Sequence, residues 1–172
     1  MKRKEYIANY QKEGDEYVYK GEQYVFDESQ ISYKSARKTL YGFSFLLFFL
    51  EIGLGLIPSS GMLNTFYVIL PYAITVVLTT VLIYRIWNIA NKDGKIPDYY
   101  YEKYADGLRG FITIILVFAT MTLVGEVVHA FIEKPLKNPI ATGIGIGFEV
   151  LIVIITFFFI RNVLKIKWKK FS

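Results

Sequence analysis

The chain has 172 residues, 53% of them hydrophobic, with a formal net charge of +5, one histidine and no cysteine. The missing cysteines exclude disulfides, thiol nucleophiles and cysteine-ligated metals, and a mean hydropathy of +0.35 points to a membrane protein. The basic excess flanks long apolar runs, so it reads as a topology signal, and no nucleic-acid partner is expected.

Residues 1–39 are polar and Tyr-rich, without the apolar core of a secretory signal. Within them, EYVYKGEQYVF (16–26) alternates Tyr17 and Tyr19, then Tyr24 and Phe26, around Gly21, which predicts a short cytoplasmic N-terminal β-hairpin. A lone hairpin is marginal in water, so it is expected to lean on the membrane surface, the middle loop or a partner.

Four apolar runs follow at about 40–58, 65–87, 110–132 and 140–160. Each is near the roughly 20 residues that a helix needs to cross a bilayer. The middle loop, 88–109, carries Tyr99, Tyr100, Tyr101 and Tyr104 after Pro97, a pattern for a short interfacial helix at headgroup level. The tail, 161–172, interleaves basic residues with Trp168 and Phe171, suited to an anionic inner leaflet. Of the 20 Lys and Arg, only Lys134 and Lys137 fall between runs three and four, and none falls between runs one and two. Basic loops resist translocation, so both termini and the middle loop are expected in the cytoplasm. The expected fold class is an all-α membrane protein, a four-helix transmembrane bundle with the hairpin segment before it. The expected partners are the lipid bilayer and either a second copy or a larger membrane complex. The absent cysteines and short outer loops suit a bacterial cytoplasmic membrane.

Each run carries one polar or small stripe at helical spacing, marking the face turned inward. These are Ser44, Glu51, Gly55 and Pro58; Tyr72, Thr75 and Thr79, beside a Pro71 expected to kink its helix; Thr122, Glu126, His129 and Glu133; and Thr142, Gly145, Glu149 and Thr156. Gly143 and Gly147 form a GxxxG pair, expected to allow close approach within the bundle, with a homo-oligomer contact as the alternative. An ionisable side chain near the bilayer centre costs about 2.5–3.5 kcal/mol on insertion scales, so Glu51, Glu126, His129 and Glu149 are the leading site candidates, with Thr75, Thr122 and Tyr72 beside them. At 1.5 Å per residue, Glu51 and Glu149 share the midplane, while Glu126 and His129 lie roughly 8–12 Å nearer the outer surface.

Apart from Arg85 at the middle-loop edge of the second run, no Lys or Arg lies within the runs to neutralise these acids, which favours holding them as neutral carboxylic acids. Such acids suit proton-coupled exchange, releasing a proton when a cation arrives. Alternatively they hydrogen-bond to Thr and Tyr hydroxyls and hold the helices together, each bond contributing about 0.6–2 kcal/mol. Glu126 and His129 are three apart, as in di-iron bundles, but those use two such motifs and this chain has one histidine, so neither metal nor cofactor is expected. GIGIG (143–147) lies within an apolar run rather than after a strand and reads as helix packing.

In its span count and its first-span Glu51 the chain resembles the small multidrug resistance exporters, whose first-helix Glu couples a proton to a cationic drug. It departs from them in length, in its N-terminal segment, in its extra acids and in its strong charge bias, and no residue roles are carried over. The first functional expectation is a non-catalytic accessory, regulatory or assembly subunit that engages partners through Tyr17, Tyr19, Tyr24, Tyr100 and Trp168. The alternative is a small oligomeric proton-coupled transporter or channel subunit for a cationic or amphiphilic solute. An intramembrane metal-assisted enzyme ranks third.

Overall fold

The computed structural model describes residues 9–13, 16–59, 61, 65–133 and 136–171. Four helices are long and apolar enough to span a membrane: α1 (Tyr33–Gly55), α2 (Phe66–Ala90), α3 (Leu108–Ile132) and α4 (Pro139–Val163). Strands β1 (Tyr10–Glu13), β2 (Glu16–Tyr19) and β3 (Gln23–Phe26) precede α1, β4 (Lys95–Pro97) lies between α2 and α3, and β5 (Trp168–Phe171) follows α4.

Local chemistry sets the helix ends. Ser32 caps α1, its hydroxyl accepting from the Ser35 N–H at 3.4 Å, so the polar stretch from Tyr33 is already helical and α1 begins earlier than the apolar run. The Tyr33 hydroxyl lies 2.9–3.3 Å from the carbonyls of Ile89, Ala90 and Lys92 and caps the end of α2. Asn138 caps α4, with Pro139 in its first turn.

The helices run up and down in a ring in which each packs on its sequence neighbours and α4 closes on α1. Each buries one narrow stripe, such as Leu40, Ser44, Leu47, Glu51 and Leu54 on α1. Along the ring axis this interior divides in two. Toward the β-strands it is mostly apolar, built from Leu47, Leu82, Ile86, Ile112, Ile115 and a fully buried Phe159 stacked on Phe43 at 5.1 Å, with the buried Ser44 and Thr156 hydroxyls donating to backbone carbonyls. Toward the loops joining α1 to α2 and α3 to α4 it holds Glu51, Thr75, Thr79, Thr122, Glu126 and Glu149.

The strands do not form the hairpin expected over 16–26. Strand β2 pairs with β1, Tyr10 opposite Tyr19, whereas β3 is the central strand of a separate three-stranded antiparallel sheet, β4-β3-β5. A tight hairpin turn at Gly21 needs a left-handed residue, and positive φ occurs among the described residues only at Gly94 and Gly107. The chain therefore passes Gly21 without reversing, and β3 finds Ile96 of β4 and Trp168 of β5 instead. The tail is thus folded as a strand, with Lys169 paired to Asp27 at 3.1 Å and Lys170 to Glu22 at 2.6 Å. The middle-loop tyrosines form a helical turn, Asp98–Tyr100, that widens into a π-helical turn, Tyr101–Ala105.

Candidate functional site

Glu51 is positioned by two neighbours on α2. The Thr79 hydroxyl donates to its Oε1 at 2.7 Å, and the Tyr72 hydroxyl donates to its backbone carbonyl at 2.9 Å. Tyr72 reaches that carbonyl by lying across Gly55, one turn further along α1, where a methyl group would overlap the phenol. The other carboxyl oxygen of Glu51 has no protein partner.

Glu126 and Glu149 have no partner on either oxygen, although their residues are 0% and 1% exposed. They lie near enough to act on each other electrostatically. An unsatisfied buried polar group costs about 1–3 kcal/mol, so five such oxygens within one helical ring are expensive. Two residues of the α1–α2 loop cover the site. Ser59 is fully buried against Gly145 of α4, and Gly61 sits so close to the Glu126 carboxyl that a methyl group there would overlap it. Asn138 ties this loop to the start of α4 by donating to the Pro58 carbonyl at 3.4 Å.

Midway along the ring, Glu51, Tyr72, Thr75, Thr122 and Glu149 line a narrow cavity with Leu54, Ala119 and Ile152, leaving room for about one water molecule. The lining hydroxyls have committed their protons. Thr75 donates to Pro71 O at 2.9 Å, Thr122 to Phe118 O at 3.0 Å and Tyr72 to Glu51 O. Of the four sequence-stripe hydroxyls on α2 and α3, only that of Thr79 reaches an acid, so hydroxyl glue between helices accounts for Glu51 alone.

His129 does not join the acids. Its Nε2 meets Glu133 at 3.0 Å and its Nδ1 lies 3.3 Å from the hydroxyls of Thr65 and Tyr67, which turns the ring toward the loop end and away from Glu126. Among the described residues no three His, Asp or Glu side chains gather closely enough to hold a metal ion.

The glycine pair corrects another expectation. Gly143 and Gly147 face outward from the ring, and a methyl group at either would meet nothing within 4 Å, so neither makes the expected approach within the bundle. The inward glycine of α4 is Gly145. A further close approach is at Gly125 of α3, against the carbonyl of Tyr67, which Pro71 leaves without its helical partner.

The aromatic candidates are spent largely on one another. Tyr24 stacks on Tyr101 at 3.8 Å, Tyr19 meets Tyr10 at 5.2 Å, Tyr100 packs beside Tyr104, and Trp168 stands edge-on to Phe26 at 5.4 Å. Tyr17 lies in β2, and its side chain falls outside what is described. Ser59 and Gly61 were missed from sequence, where PSSG after an apolar run carries only a turn signal. No protein-family model matches the chain, and neither a curated protein nor a solved structure matches it.

Proposed function

We propose that the protein is a small multi-pass membrane transporter or channel subunit in which Glu51, Glu126 and Glu149 take up and release protons in exchange for a cation. The observation that carries this reading is the set of five carboxyl oxygens without a protein partner inside the ring. Structural acids would be expected to be hydrogen-bonded, and acids that bind a changing occupant need free lone pairs. The accessory-subunit reading draws less support, because Tyr24, Tyr100 and Trp168 spend their faces inside the fold.

In this reading the helices cross the membrane with the sheet end in the cytoplasm, where 18 of the 20 Lys and Arg fall, leaving Lys134 and Lys137 on the far side. The acid half then faces the outer leaflet, and the apolar half closes the path to the cytoplasm. A bacterial cytoplasmic membrane is the proposed location, and a pair or ring of copies the proposed assembly.

The test is proton flux in proteoliposomes carrying an internal pH dye, driven by imposed cation gradients. Wild-type protein is expected to move protons and Glu149→Gln to abolish the flux. Flux that is absent from wild type, or unchanged in Glu149→Gln and Glu51→Gln, would sink the proposal.

A further inference from the structure

The cavity between Glu51 and Glu149 has a chemical polarity that the acids alone do not reveal. Every hydroxyl on its wall has given its proton to a backbone carbonyl: Thr75 to Pro71, Thr122 to Phe118 and Tyr72 to Glu51. What these groups turn to the cavity is oxygen lone pairs. The free Oε2 of Glu51 and both oxygens of Glu149 add to them. Apart from the acid protons themselves, the wall has no donor to offer. It therefore rejects an anion or a hydrogen-bond acceptor and suits a positive guest.

Size narrows the guest. The space admits about one water molecule, so neither a lipophilic organic cation nor a hydrated ion fits. A bare cation bound by oxygen fits. Charge narrows it again, because the desolvation penalty of a double charge is far larger than that of a single one, and no third acid joins Glu51 and Glu149 at the cavity. We infer that this cavity is a binding site for a dehydrated monovalent metal ion no larger than a water molecule, such as Na⁺, held by the carboxyls of Glu51 and Glu149 and the hydroxyl oxygens of Thr75 and Thr122, in competition with a proton.

The exchange balances. Glu149, neither of whose oxygens has a protein partner, gives its proton to water as Na⁺ enters, Glu51 stays protonated, and the cavity is neutral before and after. The titratable groups facing Glu149 are Glu51 from α1, Tyr72 from α2 and Glu126 from α3; His129 faces Glu133, and the buried stripes contain no Lys or Arg among the described residues. Nothing nearby supplies a positive charge to replace the guest. The inference rests on the exchange function proposed above and names its cation.

The experiment uses the full chain in nanodiscs, freed of Na⁺ and weakly buffered, with released protons followed by a pH dye and binding by calorimetry as NaCl is added. About one proton is expected per Na⁺ bound, none on adding tetramethylammonium or Ca²⁺, and none from Glu149→Gln. Thr75→Val and Thr122→Val, which keep the side-chain shape and remove an oxygen, are expected to weaken Na⁺ binding by about tenfold each. If Glu149→Gln fails to fold, the threonine variants and Glu51→Gln carry the comparison. Release by tetramethylammonium or Ca²⁺ as strong as by Na⁺, or Na⁺ binding untouched by the threonine variants, would overturn the inference. So would an absence of Na⁺ binding while proteoliposomes still show Glu149-dependent proton flux, and in that case the exchange function itself survives. Loss of both would remove the exchange function as well.

Discussion

The two ends of the molecule treat polar groups in opposite ways. At the sheet end they are paired: Arg85 donates to the carbonyls of Tyr104 at 3.2 Å and Asp106 at 2.8 Å, Lys169 meets Asp27, Lys170 meets Glu22, and the Tyr41 hydroxyl donates to Asn91 at 3.0 Å. At the acid end, carboxyls buried as deeply as any leucine go without partners. On the exchange function proposed above, the difference separates what holds the fold from what the protein does. Satisfied groups set geometry, whereas unsatisfied ones represent free energy withheld from stability.

The largest losses are expected in the apolar half and the sheet beneath it. Phe159→Ala should destabilise the purified protein by about 3–5 kcal/mol through the cavity it leaves, and Ile96→Ala in β4 by about 2–5 kcal/mol, both read from thermal unfolding in detergent. Gly61→Ala forces the loop against Glu126 and should cost about 1–3 kcal/mol. Adding Glu126→Ala should return most of that loss, and a purely additive double mutant would show that loop and acid are not in contact. Glu126→Met should act in the other direction, raising stability by about 1–3 kcal/mol while reducing proton flux. A destabilised Glu126→Met would return this acid to a structural role.

The smallest effect is the pH dependence of the sheet. Hydrogen bonding to Lys169, and then to the Ser29 N–H, holds the Asp27 carboxyl below the usual carboxylate range. The stability it contributes is present above that range and is lost as pH falls through the lowered value. Hydrogen bonding to Glu22 pushes the Lys170 ammonium above its ordinary value, so its contribution is present below that value and is lost as pH rises through the raised one. Trp168 fluorescence in a Trp87→Phe background should therefore be flat through neutral pH and shift only at the acid and alkaline extremes. A transition near pH 7 would show that other groups govern the pairing of β5.

Run length made the four helices legible, since each apolar stretch is about as long as a bilayer-spanning helix needs to be. The start of α1 was not, because Lys34, Arg37 and Lys38 read as loop until the Ser32 cap places them on a helix. Sheet order was hidden for a different reason. Alternation marks a strand but not its partner, and Tyr24 pairs with Ile96 and Lys170, both far along the chain. The outward turn of Gly143 and Gly147 was available from spacing, as Gly145 lies one turn before Glu149 on the inward stripe and its two neighbours cannot share that face. The acids themselves stood out by composition. That the hydroxyls of Tyr72, Thr75 and Thr122 are committed to backbone carbonyls depends on rotamers, which no residue pattern encodes.

The three-stranded sheet draws together the start of α1, the end of α2 and the exit from α4 through short links, and reaches α3 through the Asp98–Ala105 turns. All four rods are thus pinned at one end. Ser59 and Gly61 lie at the far end, so the strands that gather the helices and the loop that covers the acids sit at opposite ends of the ring.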